Sequence, residues 1–170
     1  MRALAGWPPK ARDTRAIVEA YQRVLGWPLI VGTTFVSPDR AAAELAEHPD
    51  VQLSTPCSAF DAVTVSHLVG METMLLLGRR DVGPVPCLTV HLDQAILLVQ
   101  AGTGGVFAGL ENVSVEAGSG GRLILPPSSI RQWDTPPWDI KAEAPCPLLA
   151  GPVLAPCIHD ALRLFGVCST

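Results

Sequence analysis

The sequence predicts a single domain of the α/β class, in the α+β arrangement, with a mixed and mostly antiparallel sheet and flanking helices. Three observations support this fold. The 170 residues are the length of one domain. Segments with helical apolar spacing alternate with short β-branched segments, and no change in composition is sharp enough to mark a second domain. We therefore expect a flexible N-terminal arm over residues 1–12 and one domain over residues 13–170.

Capping residues and apolar spacing indicate where the helices begin. Asp13 or Thr14 can cap the first helix. Ser37 followed by Pro38 is typical of a helix start, with the serine as N-cap and the proline in the first turn. The predicted helices cover residues 14–25, 38–46, 68–77 and 155–167.

Alternating and β-branched segments predict the sheet. Two of them flank His91–Gln94 and are expected to form a hairpin. The proline-rich segment 126–156 also holds Trp133 and Trp138, so we expect an ordered but irregular crossing loop there. A direct link over residues 32–36 joins the first strand to the second helix. The predicted strands are 27–31, 51–54, 60–65, 85–90, 95–99, 112–116 and 122–125.

Composition bears on the kind of partner. Charged residues make up 16% of the chain, below the roughly 25% of ordinary domains, so we expect a weakly charged surface that a protein partner or a second copy covers. The net charge of −4 disfavours tight non-specific binding of nucleic acid. The candidates for a local basic patch are the pair Arg79–Arg80 and the pair Arg122 with Arg131.

The sequence also gives expectations about location and cofactors. No apolar run approaches the ~20 residues of a membrane-spanning helix, and the first ten residues lack the apolar segment of a secretory signal. We expect a soluble, cytoplasmic protein with no membrane contact. The five cysteines form no Cys-x-x-Cys pair, so we expect reduced thiols, no metal and no cofactor. Covalent catalysis by Cys57 lacks a neighbouring base.

A series of short motifs carries a resemblance to a known family. They occur in a fixed order over residues 21–129, which is most of the chain. Together they resemble the N-terminal primase-polymerase domain of bacterial bifunctional primase-polymerases, and imply its core fold. The motifs are Gly26-Trp27-Pro28, Ser37-Pro38, His48-Pro49-Asp50, Phe60-Asp61 and the Gly120-Gly121 strand that ends in Pro126-Pro127-Ser128.

The same resemblance implies that the catalytic positions are degenerate. Active members carry two aspartates one residue apart on a strand, and these positions fall on Thr64 and Ser66. The family's phosphate-contacting histidine falls on Ile96, and its third carboxylate falls on Val115, or on Glu116 if the register slips by one residue. Hydroxyl and apolar side chains do not supply the negative charge that gathers Mg²⁺ or Mn²⁺. We therefore expect no catalysis.

The glycine-rich turn over residues 118–121 invites comparison with phosphate-binding loops. It lacks the Lys-Ser/Thr of a P-loop, and a strand follows it instead of a helix. Its expected role is turn geometry. The alternative is residual nucleotide binding through backbone amides and one arginine, with Gly120, Gly121, Arg122 and Ser128 as the candidate residues.

Three functions remain open. The first is a non-catalytic, primase-polymerase-like domain that serves as a regulatory or protein-interaction module. The second is a nucleotide or nucleic-acid binder that uses the residual cleft without chemistry. The third is an active primase or polymerase with atypical metal ligands. A relocated metal site built from His67, His91, Asp93 and His159 is disfavoured, because turn residues at a hairpin tip are usually solvated.

Overall fold

Helices cover both faces of an antiparallel sheet. The computed structural model describes residues 7–10, 13–128 and 130–166. Over those residues the α-helices are α1 (Thr14–Arg23), α2 (Pro38–Glu47), α3 (His67–Arg79) and α4 (Gly151–Leu164). The strands of the main sheet are β1 (Leu29–Val31), β2 (Thr34–Val36), β3 (Leu53–Ser66), β4 (Cys87–Val90), β5 (Gln94–Gln100), β6 (Ser114–Ile124) and β7 (Arg131–Thr135). A separate ribbon pairs β8 (Trp138–Asp139) with β9 (Ala144–Pro145).

The long strand β3 organises the sheet. The strand order is β2-β1-β3-β5-β4-β7, and β6 also pairs with β3. Every pairing between the described strands is antiparallel. The predicted fold, a single α+β domain with a mostly antiparallel sheet and flanking helices, is confirmed.

Alternation along the strands divides the interior into two cores. One set of side chains, which includes Phe60, Ala62 and Leu98, packs with α1 and α2 on what we call the first face. The neighbouring set, which includes Val63 and Leu97, packs with α3 and α4 on the second face. Successive residues of a strand point to opposite faces, so each position on β3 can be assigned to one core.

Local sequence signals located several elements correctly. Asp13 caps α1, because its side chain accepts a hydrogen bond from the backbone N–H of Ala16. Ser37 caps α2 in the same way, and Pro38 occupies the first turn. The predicted hairpin around residues 91–94 joins β4 to β5. These signals depend on adjacent residues, so no tertiary contact was needed to interpret them.

Four predicted strands are in fact two longer ones. Residues 53–54 of the first predicted strand and all of 60–65 belong to one strand, β3, which starts at Leu53 and continues through Pro56. The register between β3 and β6 shifts between Pro56 and Cys57, so the proline sits at an irregularity, where a missing N–H is tolerated. Likewise 112–116 and 122–125 were expected as separate strands, but β6 runs from Ser114 to Ile124 with the glycines inside it.

Two connections were predicted incorrectly. Residues 32–36 are not a direct link, because the chain turns at Gly32, where φ is +63°, and β2 pairs back onto β1. Segment 126–156 is not wholly irregular, because β7 forms the sheet edge beside β4. The last helix also starts earlier than expected, at Gly151, with Pro152 in its first turn.

An aromatic cluster joins the proline-rich segment 126–156 to α1. Tyr21 stacks on Trp27 with ring centroids 5.9 Å apart, and it meets the edge of Trp138 at 5.8 Å. Residues 7–10 of the expected arm are described, and Trp7 contacts Trp138 at 6.2 Å. The remainder of that arm, residues 1–6 and 11–12, lies outside the described residues.

Hydropathy gives one further result for the described residues. Over residues 7–10, 13–128 and 130–166, no helix combines the length and the apolar character that a bilayer span requires.

Candidate functional site

The strand pairing brings three of the proposed degenerate positions together. Thr64 on β3 lies opposite Ile96 on β5, and directly opposed residues have Cβ atoms about 5 Å apart on the same face. Ser66, two residues farther along β3, shares that face and lies opposite Gln94. Thr64 is half-buried, Ser66 is exposed and Ile96 is buried. Thr64 and Ile96 therefore meet on the first face, whereas the Oγ of Ser66 accepts the backbone N–H of Val69 at 3.3 Å and caps α3.

The fourth position does not join them. Val115 on β6 lies opposite Val63 and packs against the second core, on the other face of the sheet. Its neighbours Ser114 and Glu116 lie opposite Thr64 and Ala62, so they share the first face with Thr64. Glu116 is exposed. The one-residue alternative register thus supplies a single carboxylate beside the hydroxyls.

A shallow cleft of about 450 Å³ opens at this end of the sheet. Its polar lining consists mainly of hydroxyl and amide groups, and Asp93 is its one charged residue among the described residues. Basic side chains do not line it, so phosphate groups meet no compensating charge there. The lining polar residues are Thr64, Ser66, Asp93, Gln94, Asn112 and Ser114.

The glycine-rich turn lies at the opposite end of β3. Between the pairs Cys57–Gly118 and Pro56–Arg122 the register shifts, and β6 folds on itself. A Cβ added at Gly121 would lie 2.8 Å from the backbone nitrogen of Ala117, a distance that excludes any larger residue. Gly118 has a φ of +68°, a conformation that favours glycine. Gly120 and Gly121 therefore shape an excursion within a strand.

The two polar candidates beside this turn make structural contacts. Arg122 is exposed, and its Nη1 donates to the carbonyl oxygen of Gly32 at 3.1 Å. Ser128 is only 4% exposed, and its Oγ accepts the backbone N–H of Leu53 at 3.0 Å. Arg122 secures the β1–β2 turn, and Ser128 ties the end of the glycine strand to the start of β3.

The thiol of Cys57 has no features of a nucleophile. Cys57 is fully buried. Burial, assisted by the negative charges of Glu116 and Asp61, raises its pKa to about 12. The thiolate is the reactive form of cysteine, so this side chain stays protonated and acts as a small apolar group in the first core.

The residues of the relocated metal site do not converge, although the backbone N–H of His67 bonds to the carbonyl oxygen of Asp93. His91 and Asp93 are exposed at the β4–β5 turn, whereas His67 begins α3 and His159 lies on α4. The Nδ1 atom of His67 is buried without a hydrogen-bond partner. Across the part of the chain that the structure describes, no group of three or more histidine, cysteine or acidic side chains is arranged to hold a metal ion.

The arginines singled out by the sequence have different surroundings. Arg80 forms an ion pair with Asp160, which links α3 to α4, and Arg79 lies 3.9 Å from Glu72. Arg131 differs, because its guanidinium makes no hydrogen bond or ion pair with any described residue, and it is half-buried. Burial lowers its pKa. Each arginine of the Arg79–Arg80 pair therefore has an acidic neighbour.

Sequence reasoning missed an apolar surface on α3. Leu68 and Leu75 are 62% and 56% exposed, and Met71 between them is half-buried. Their spacing of three and four residues places them on one side of the helix. Leu92, in the β4–β5 turn, is 81% exposed, and the adjacent Asp93 carbonyl accepts the N–H of His67 at the start of α3. We call Leu68, Met71, Leu75 and Leu92 the α3 surface.

The sequence carried a partial signal for this surface. Residues 67–79 are apolar around most of the helix, and a helix that is apolar all round is usually buried on all sides. Here Val69, Gly70, Thr73 and Leu77 are buried, and Met71, Met74 and Leu76 are half-buried against the second core, whereas Leu68 and Leu75 are exposed. The excess of apolar residues could have indicated a second contact surface.

Comparisons of the chain with protein-family models, with curated proteins and with solved structures give no match. The resemblance to primase-polymerase domains therefore rests on the motifs of the sequence alone.

Proposed function

We propose that this chain is a non-catalytic, primase-polymerase-like domain that acts as a regulatory or protein-interaction module through the α3 surface. The observation that carries the proposal is the exposure of Leu68 and Leu75 on one side of α3, with the exposed Leu92 in the turn beside the start of that helix. Grouped apolar side chains on the outside of a protein are typical of interaction sites, whereas single ones are ordinary. The low content of charged residues supports the same proposal.

The residues on the first face support the absence of catalysis. A two-metal nucleotidyl-transfer site needs several carboxylates to hold the ions about 4 Å apart. At the corresponding positions Thr64 and Ser66 offer neutral hydroxyls, and Ile96 offers no polar atom. Two carboxylates lie near these positions, Glu116 on the same face as Thr64 and Asp93 in the wall of the cleft. Among the described residues no third histidine, cysteine or acidic side chain joins them in a metal-binding group, and such a pair is a weak ligand set for hard divalent cations.

A second copy of the chain is the partner that the α3 surface fits most simply. In a two-fold interface the same surface contributes from both copies. Antiparallel pairing of two α3 helices places Leu68 of one copy against Leu75 of the other. Burying a leucine side chain contributes at most about 3 kcal/mol, and association costs at least about 4 kcal/mol, so we expect a weak dimer.

Light scattering over a range of protein concentrations tests this proposal. We expect the mass to rise from the 18.0 kDa monomer toward twice that value at high concentration. The double variant Leu68→Glu/Leu75→Glu should remain monomeric. Phe35→Glu is the matched control, because Phe35 is 66% exposed on β2, away from α3. A mass that stays monomeric throughout, or that the double variant leaves unchanged, would contradict the proposal.

Binding of a nucleotide or nucleic acid in the residual cleft is a second candidate. The hydroxyl and amide lining of the cleft favours it, since these groups can bond to bases and sugars. Calorimetric titration with nucleotides and short DNA discriminates between the two functions. The interaction proposal predicts no heat of binding. Micromolar binding that is lost in Thr64→Val would favour the second candidate, and binding lost only in Arg122→Ala would point to the glycine-rich turn at the other end of β3 instead.

Primer extension with Mg²⁺ or Mn²⁺ tests the third candidate, an active polymerase with atypical ligands. We expect no incorporation on primed or unprimed templates. Template-dependent extension that disappears in Glu116→Ala would show that the domain retains catalysis.

A further inference from the structure

A second cleft lies on the first face, at the edge strand β7. It has a volume of about 460 Å³, within the ~300–1,000 Å³ range of small-molecule sites. Five prolines and two isoleucines form much of its wall, together with Trp133, Trp138 and Gln132. Arg131 also lines it, as its one charged residue among the described residues. The cleft is therefore an apolar cavity with one fixed positive charge.

The state of Arg131 is unusual for a charged residue. It is half-buried, yet its guanidinium makes no ion pair, hydrogen bond or ring contact with any described residue. A partly desolvated cation without a partner costs free energy, and the lowering of its pKa by burial has the same origin. An anion in the cleft would supply the missing partner.

The tryptophans in the wall of the cleft are apolar toward the space that such an anion would occupy. Trp133 has its single donor occupied, because Nε1 bonds to the Tyr21 hydroxyl at 2.8 Å. Trp133 and Trp138 meet edge to face, with centroids 6.4 Å apart and planes 69° apart. Trp133 is half-buried and Trp138 is only 5% exposed, so a flat ring can stack on the exposed part of Trp133 and touch Trp138 at its edge.

We propose that this cleft binds a small organic anion in which a carboxylate or phosphate group is carried on a flat apolar ring. Arg131 pairs with the anionic group through charge-assisted hydrogen bonds. The ring packs among the tryptophans and prolines. The cleft lies across the sheet from the α3 surface, since Trp133 pairs with Leu88 of the first core while α3 packs on the second. The proposal is thus independent of the interaction function.

Titration with matched probes tests the proposal on the whole chain. The probes are 1-naphthoate, 1-naphthyl phosphate and the neutral 1-naphthalenemethanol, followed by calorimetry and by the indole N–H signals of the tryptophans in NMR. We expect one or both anions to bind about tenfold more tightly than the alcohol or better, and to shift the Trp133 and Trp138 signals. The more tightly bound anion identifies the carboxylate or the phosphate as the preferred group.

Variants assign the binding to the cleft. Arg131→Gln should reduce the affinity for the anion to that for the alcohol without lowering the melting temperature, since the guanidinium has no partner among the described residues. Ile140→Glu, which adds a negative charge at an exposed lining position, should weaken anion binding while keeping Arg131. Arg79→Gln is the matched control on another surface. Equal affinity for the anions and the alcohol, unchanged binding in Arg131→Gln, or no saturable binding of either anion would overturn the proposal.

Discussion

Hydrogen bonds of individual buried polar groups hold the proline-rich segment 126–156 against α1 and β3. The Tyr21 hydroxyl donates to the carbonyl oxygen of Pro126 at 2.9 Å and accepts from Trp133 Nε1 at 2.8 Å. Ser128 accepts the N–H of Leu53 close by. The Pro-Pro-Ser sequence thus acts as an attachment point, and its hydroxyl is engaged within the fold.

The structural contact of Ser128 gives a stability prediction. Ser128→Ala leaves the buried N–H of Leu53 without an acceptor, which costs about 1–3 kcal/mol. Chemical denaturation should therefore show a loss of stability of that size. Ser58→Ala is the control, because Ser58 is exposed on the same strand β3 and such changes fall within about 0.5 kcal/mol. Equal stability of the two variants would contradict the contact's role.

Tyr21 gives a prediction about pH. Burial raises the pKa of its hydroxyl above the usual value of about 10, because the charged form is poorly solvated in the core. The folded state therefore holds this proton more tightly than the unfolded state. Its contribution to stability is complete below about pH 10 and falls as the pH rises further.

The absorbance of tyrosinate measures this directly, because Tyr21 is the single tyrosine of the chain. In an alkaline titration we expect no tyrosinate signal until the protein unfolds, as followed by circular dichroism. Reversible ionisation near pH 10 with the fold intact would show that Tyr21 is accessible to solvent.

At the scale of elements, α3 sits unusually close to β5. A Cβ added at Gly70 would collide with the Cβ of Ala95, so the helix rests on the strand through a residue with no side chain. Gly78, near the end of the same helix, has open space around its Cα. One helix therefore contains a glycine that packing requires and a glycine that it does not.

These two glycines predict stability changes of opposite sign. Gly70→Ala should destabilise the fold by about 1–3 kcal/mol, the usual cost of overpacking. Gly78→Ala should raise stability by about 0.5–1 kcal/mol, because alanine loses less backbone entropy in a helix. Thermal denaturation of both variants provides the measurement. A stabilising Gly70→Ala would mean that α3 does not lie against Ala95.

Whether an element could be predicted from the sequence depends on whether neighbouring or distant residues determine it. Helix starts at Asp13 and Ser37 depend on neighbouring residues, so the sequence alone was sufficient to locate them. The continuity of β3 through Pro56 depends on the register with β6, which lies far along the chain. Alternation along β3 placed Thr64 and Ser66 on one face. Which of Val115 and Glu116 shares that face depends on pairing, so the sequence left both open.

The two candidate binding surfaces were harder to predict. The cleft at β7 gathers Pro8, Ile17, Pro126 and Trp138 from separate parts of the chain. Arg131 was noticed as a basic residue, but its lack of a partner is a tertiary property. On α3, no local pattern separates the leucines that face the core from those that face outward.

For the whole molecule, the two faces of the sheet have different roles. The first face holds Thr64 and the cleft at Arg131, whereas the second carries α3 and α4. Arg80 and Asp160 connect those two helices, so the α3 surface belongs to a firmly packed layer. Two copies that met through α3 would leave the first face free.

Methyl NMR of the leucines during a dilution series tests the central claim most directly. If two copies meet through α3, the methyl signals of Leu68, Leu75 and Leu92 move with concentration. The signal of Leu148, which packs on the first core, stays fixed. Signals of the three exposed leucines that do not change with concentration, or a shift confined to Leu148, would contradict association through the α3 surface.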